Sequence, residues 1–193
     1  MALRSEESRQ AILNATMRLL ADGEGGGLSV QQLSIERIAR EAGVSKTTIY
    51  RWWPNKAAVV IDTFLENHIL ATPEREDLPA LDALREHIKT LAALYSGQEG
   101  RLMAQLIAES QYDVGTLEEF KNRFWRPRRV VTNRIIQRAM DEGSIRSDFT
   151  PDEIANRTYA PIYFALLFQE GSLSSEAVES HFRLVLEGAM PKP

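Results

Sequence analysis

Cysteine is absent from this 193-residue chain. That excludes disulfides and thiolate metal sites and fits a reducing compartment. No apolar run approaches the roughly 20 residues that a bilayer-crossing helix needs. The opening MALRSEESRQ lacks the apolar core of a signal peptide, so a soluble, cytoplasmic protein is expected. The three histidines, His68, His87 and His181, stand too far apart for ligand spacing, and neither a metal nor a cofactor is expected. The glycine run at 25–27 has no strand before it and no lysine after it, as a phosphate loop would require. A nucleophile–base pair is missing too, which argues against an enzyme. There is no strand-like alternation, internal repeat or low-complexity tract. What remains is helical periodicity, and the expected fold is all-α, with about nine helices.

The most informative stretch is 34–56, SIERIAREAGVSKTTIYRWWPNK. Ile35, Ile38, Ala39 and Ala42 fall at i, i+3, i+4 and i+7, one apolar stripe of a helix. Ser34 precedes it as an N-cap, and Gly43 follows where a helix ends in the left-handed region. Ser45 caps a second short helix, which Pro54 and Asn55 stop. Ala39, Gly43 and Ile49 supply the small crossing residue, the turn and the apolar anchor of a helix-turn-helix. The outward positions Lys46, Thr47, Thr48, Tyr50 and Arg51 are groups that reach base edges and phosphates.

This stretch resembles the DNA-binding segment of the TetR family of bacterial repressors, through IARxAGVSKTTIYRWWPNKxA. The segment RAMDEGSIRSDFTPDEIANRTYAPIYFALLF also resembles the C-terminal half of one TetR subgroup. The resemblance implies a helix-turn-helix domain over 1–70, with the reading pair at about 34–53. A ligand-binding and dimerisation domain follows over 71–193. It further implies that the fourth helix links head to body and that Lys56 touches a DNA phosphate. Leu28 to Leu33 looks like a short insertion relative to the family, one extra helical turn.

The net charge of −4 would by itself disfavour a polyanionic partner. From residue 34 to 56, however, five basic residues face only Glu36 and Glu41, a local positive face suited to phosphate. The expected DNA contacts are Ser34, Arg37, Ser45, Lys46, Thr47, Thr48, Tyr50, Arg51, Trp52 and Lys56. Tyr50 offers its hydroxyl to phosphate beside Lys56, and Trp53 anchors the head.

Along the rest of the chain, helices are expected over 6–22, from Lys56 to about Asn67, and along the stripe Leu81, Leu84, Ile88, Leu91, Ala92 and Tyr95. Thr116 to Glu119 has capping-box spacing and opens a helix to about Glu142, kinked at Pro127. Thr150-Pro151-Asp152-Glu153 opens another, bent at Pro161 and ended by Gly171. Ser174 or Ser175 opens the last. The basic run from Lys121 to Arg138 is either a second nucleic-acid surface or a solvated face bridged to acids on neighbouring helices.

One head reads too few base pairs for an operator, so a homodimer on a near-palindromic duplex site is expected. The resemblance places its seam on the last two helices, at Tyr163, Leu166, Leu167, Val178, Phe182, Val185 and Leu186. Some of these can equally be core. An unknown small-molecule effector would act by favouring one spacing of the heads. Its pocket candidates are Tyr95, Met103, Tyr112, Phe120, Phe124, Tyr159 and Tyr163. The resulting expectation is a ligand-responsive repressor; the alternative is an all-helical protein-binding adaptor.

Overall fold

The computed structural model describes residues 2–21 and 27–189. Most of the glycine run at 25–27 and the expected end of the first helix at residue 22 lie outside them. Among the described residues the chain is helical, without strands. Its elements are α1 (Ala2–Leu20), α2 (Ile35–Ala42), α3 (Lys46–Tyr50), α4 (Lys56–Ala71), α5 (Ala80–Tyr95), α6 (Gln98–Ser110) and α7 (Val114–Phe120). A π-helical turn (Lys121–Trp125) leads into α8 (Arg126–Asp141), followed by α9 (Pro151–Phe168) and α10 (Ser175–Ala189). Counting α7, the π turn and α8 as one continuous run gives nine helices among the described residues. None is long and apolar enough to cross a membrane among the residues described.

The chain forms two compact units. One comprises residues 1–68 and 101–126, the other 69–100 and 127–193. The first crossing lies two residues from the boundary expected after residue 70. Residues 101–126 then return to the unit that holds the N-terminal helices. A single cut had no way to express that return, because it depends on packing between segments remote in sequence.

In the first unit α1 packs on α2 and α3. Ile12, Leu13 and Ala15 of α1 are fully buried, as are Ile38 and Ile49. Each large aliphatic side chain buried here stabilises the unit by about 2 kcal/mol. Phe64 and His68 of α4 meet Phe124 of the π turn, with ring centroids 5.4 and 5.1 Å apart, and Phe120 stacks on Phe124 at 5.4 Å.

In the second unit α5 packs on α9 and α10, and α10 on α9. The α5 stripe Leu84, Ile88, Leu91, Ala92 and Tyr95 is buried along its length. The helix-start signal at Thr150 is realised in full. Its hydroxyl accepts from the Glu153 N–H, the Glu153 carboxylate accepts from the Thr150 N–H, and Pro151 occupies the first turn.

The caps of α7 and α9 are corrected, and the backbone ahead of Pro127 takes a specific form. Asp113, not Thr116, caps α7: its carboxylate accepts from the Thr116 N–H at 2.6 Å. Where a kink at Pro127 was expected, the hydrogen-bond ladder widens just ahead of it, and the Arg126 N–H reaches the Lys121 carbonyl five residues back. A proline nitrogen has no hydrogen to offer, and the π turn relieves the crowding its ring would cause in the preceding turn. α9 ends at Phe168 on a left-handed Gln169 (φ 54°), before Gly171.

Candidate nucleic-acid interface

The reading pair is built from its caps outward. Ser34 accepts from the Arg37 N–H at 3.3 Å and starts α2. Gly43 closes α2 at φ 67°, and the Val44 N–H then returns to the Ala39 carbonyl at 3.0 Å. A side chain at Gly43 would meet open space but would be held in the left-handed region. Ser45 accepts from the Thr48 N–H at 3.2 Å and shares a 2.9 Å hydrogen bond with the Thr48 hydroxyl. That leaves the Ser45 and Thr48 hydroxyls engaged as a cap rather than extended outward.

Ile49 turns fully inward, and Lys46, Thr47, Tyr50 and Arg51 turn outward. The Tyr50 ring is 53% exposed. Lys46 pairs with Glu36 at 3.0 Å, which places the start of α3 beside the first turn of α2. The pairing draws the Lys46 pKa up, first through that hydrogen bond and then through the opposite charge, and draws the Glu36 pKa down. Both side chains are more than half exposed, so the pair is weak and exchangeable. Arg37, Arg40 and Arg51 are exposed and make no ion pair among the described residues. Arg40, which the sequence-based selection omitted, therefore belongs with Arg37 and Arg51.

Lys56 is engaged within the chain. Its ammonium donates to the Val30 carbonyl at 2.7 Å and to the Gln31 carbonyl at 3.3 Å. Two of its three donors are thus engaged within the chain. The Val30 N–H in turn donates to the Gln105 side chain at 2.7 Å. Residues 28–33 form one helical turn, with the Leu33 N–H on the Ser29 carbonyl at 3.1 Å, and that turn is clamped from two sides. Asn55 caps α4 through the Ala58 N–H at 2.9 Å.

The two tryptophans separate. Trp52 is half-buried, whereas Trp53 is buried with its indole N–H on the Asp62 carboxylate at 2.7 Å. Arg123 of the π turn donates to the same carboxylate at 3.1 Å and also pairs with Glu119. Sequence reasoning anticipated the buried Trp53 but not the acid beneath it, since Asp62 and Arg123 are 61 residues apart.

The model for bacterial regulatory proteins of the tetR family matches residues 12–63, and that for the tetracyclin repressor-like C-terminal domain matches residues 80–185. The uncharacterized HTH-type transcriptional regulator YdeS of Bacillus subtilis (strain 168) is 31% identical over 164 residues, covering 85% of this chain and 80% of that protein. The chain belongs to the TetR family. This TetR-family chain is therefore a DNA-binding, helix-turn-helix transcriptional regulator. Its fold is similar to the crystal structure of the TetR family transcription regulator SCO0332, with a TM-score of 0.77 and 28% identity over 96% of this chain and all of that one. It also matches the Bacillus subtilis transcriptional regulator FadR, crystallised with stearoyl-CoA, at a TM-score of 0.68 and 20% identity over 93% and 98% of the two chains.

The basic run from Lys121 to Arg138 proves to be bridged. Lys121 and Arg126 pair with Glu118, Arg129 with Asp152, Arg134 with Glu74 and Arg138 with Glu142. Arg128 differs, donating to the Thr72 hydroxyl at 2.9 Å. The expected pocket residues divide between the units. Met103, Phe120 and Phe124 are core of the first unit, and Tyr95, Tyr159 and Tyr163 belong to the second. Tyr112 is 89% exposed on the turn after α6 and lines no interior space.

The expected dimer residues divide as well. Leu166, Val178, Phe182 and Leu186 are buried within the chain's own fold, so no partner is needed to cover them. Leu167 is exposed, and Val185 is half-buried. Phe164 and Phe168, stacked at 4.9 Å, and Leu184 are exposed, and none of the three was selected from the sequence.

Proposed function

We propose that this regulator is a ligand-responsive repressor that binds a near-palindromic operator as a homodimer. The observation that carries the reading is the outward face of α2 and α3. There Arg37, Arg40 and Arg51 stand without acidic partners among the described residues, and Lys46 is held by an exposed pair. Cations left unpaired on a rigid, capped helix pair are available to phosphate at little cost in lost contacts. Lys46, Thr47 and Tyr50 then present the side chains that can meet base edges or the neighbouring phosphates in the major groove. Ser45 and Thr48 position them, and Trp52 and the remaining Lys56 donor border the contact.

Two heads related by a two-fold axis would read half-sites about 34–36 Å apart, or a multiple of that. The exposed aromatic and leucine side chains of α9 and α10 supply the surface for the second copy. A small-molecule effector binding the C-terminal region would act by preferring one head spacing. FadR, similar in fold, holds stearoyl-CoA, which supports a small-molecule role for this architecture.

The experiment is titration of the protein into duplex DNA from its own promoter region at two salt concentrations. Affinity falling steeply with salt supports the proposal. A flat response favours an all-helical adaptor that binds protein.

A further inference from the structure

The faces of three helices in the second unit converge on a polar cluster that the DNA-binding role does not use. On α5, His87 and Tyr95 lie eight residues apart, two helical turns along one face. On α8, Arg128 and Thr132 are one turn apart, as are Tyr159 and Tyr163 on α9. The His87 and Tyr159 rings lie 5.9 Å apart, and the Tyr95 and Tyr163 rings 6.0 Å apart. The Arg128 charge is felt by His87 and all three tyrosines.

This cluster is unbalanced. Every other arginine of the basic run from Arg123 to Arg138 has a carboxylate partner, and Arg128 has none among the described residues. Its Nη2 donates to Thr72, and its Nε and Nη1 make no hydrogen bond to the described chain. Glu74, whose charge reaches Arg128, is already paired with Arg134 at 3.1 Å. Nearby, the His87 Nδ1 is buried without a hydrogen-bond partner, and the buried Tyr159 hydroxyl lies beside the Thr132 hydroxyl, which already donates to the Arg128 carbonyl. Buried polar atoms are nearly always satisfied, and a half-buried cation without an acid is costly.

We propose that Arg128, His87 and Tyr159 form the recognition end of the effector site, and that the effector is a small organic acid whose carboxylate supplies the missing negative charge. Charged guanidinium N–H groups donate strongly to a carboxylate, and the Nε and Nη1 of Arg128 remain for that purpose. The Tyr159 hydroxyl adds a third donor, and the aromatic rings of Tyr95 and Tyr163 flank the apolar part of the acid. The inference rests on the ligand-responsive reading above and names its ligand class.

The test uses benzoate, its neutral isostere benzamide, and inorganic phosphate, each titrated into the full chain by calorimetry with thermal unfolding in parallel. Saturable binding is expected for benzoate, with a raised Tm, and none for benzamide. Tyr159→Phe, which removes one oxygen, should weaken benzoate about tenfold, and Arg128→Gln should abolish its binding. If Arg128→Gln does not fold, Tyr159→Phe decides alone. The proposal falls if wild type does not bind benzoate, if benzamide binds as well, if phosphate binds more tightly, or if Tyr159→Phe binds benzoate like wild type. Promoter DNA is titrated with the same samples. DNA binding without benzoate binding overturns only this inference, and loss of DNA binding in wild type overturns the repressor reading.

Discussion

The indole N–H of Trp53 donates to the carboxylate of Asp62 at 2.7 Å, tying the residue that ends the reading pair to the middle of α4. The same carboxylate accepts from Arg123. One acid thus satisfies a buried indole and a half-buried guanidinium together. Asp62→Ala leaves the buried Trp53 indole N–H without a partner and Arg123 with Glu119 alone, and an unmet buried donor costs about 1–3 kcal/mol. The expected loss of about 2 kcal/mol is measured by urea denaturation. Asp62→Asn keeps one acceptor oxygen and should lose roughly half as much. Equal losses in the two variants would show that the acceptor geometry is unimportant.

Gly43→Ala should destabilise by about 1 kcal/mol, because α2 ends there at φ 67° and an alanine must adopt the left-handed region. In a chain of this length that is a fall in Tm of about 2–4 °C. Gly43→Asn should recover part of it, since asparagine tolerates that conformation better. The space around the position is open, so any loss is conformational and not a clash. A scanning calorimetry comparison of the three proteins checks the order.

Lys46 and Lys56 should separate in a salt titration. Lys46 is exposed and weakly paired, so Lys46→Ala should reduce the slope of log affinity against log salt by about 0.9, one phosphate contact. Lys56 holds the carbonyls of Val30 and Gln31. Lys56→Met should therefore leave that slope nearly unchanged and lower stability by about 1–2 kcal/mol. The reverse pattern would return Lys56 to the phosphate contacts that the family resemblance implies.

Local signals were the legible part of this structure. Ser34, Gly43, Ser45, Asn55 and Thr150 cap or close helices where their chemistry requires it. The inward stripe of α5 follows from period alone. What could not be read locally was the pairing between remote segments. Nothing near Arg128 indicates that, among the described residues, it alone of the arginines in its run lacks an acid, because the acids that pair with Arg129 and Arg134 lie 23 and 60 residues away in sequence. The same limit hid which late apolar residues are core. Phe182 and Leu184 are two positions apart and equally hydrophobic, yet one is buried and the other 69% exposed. Helical period separates them only once the direction of the core is known.

Acid should weaken the fold through His87. Burial pushes its pKa down to about 4 from the ordinary 6.5, and the nearby Arg128 charge acts in the same direction. The unfolded chain therefore takes up a proton between those two values while the folded chain stays neutral. Stability from this residue is complete above about pH 6.5 and is lost as pH falls toward 4, by about 3 kcal/mol in all. His87→Leu removes the titrating group, so stability measured from pH 7 to pH 4 should fall less steeply than in wild type. Parallel curves would mean that His87 is protonated in the folded protein over the same range.

The exposed end of α9 and the outer face of α10 give the most direct test of assembly. Phe164 and Phe168 stack on each other at 55% and 66% exposure, with Leu167 beside them in sequence. Such side chains are ordinary when isolated, but clustered aromatic surface on adjacent helical turns marks an interface. Phe164→Glu combined with Leu184→Glu puts charge into that surface without touching the buried Leu166, Val178, Phe182 or Leu186. Light scattering after gel filtration should find wild type at twice the mass of one chain and the variant at the mass of one. Helicity by circular dichroism should be unchanged, because both positions face solvent in the single chain. Operator affinity should fall with the mass, since a lone head makes only half the phosphate contacts. If the variant remains dimeric, the seam lies on another surface, and the exposed phenylalanines require a different partner.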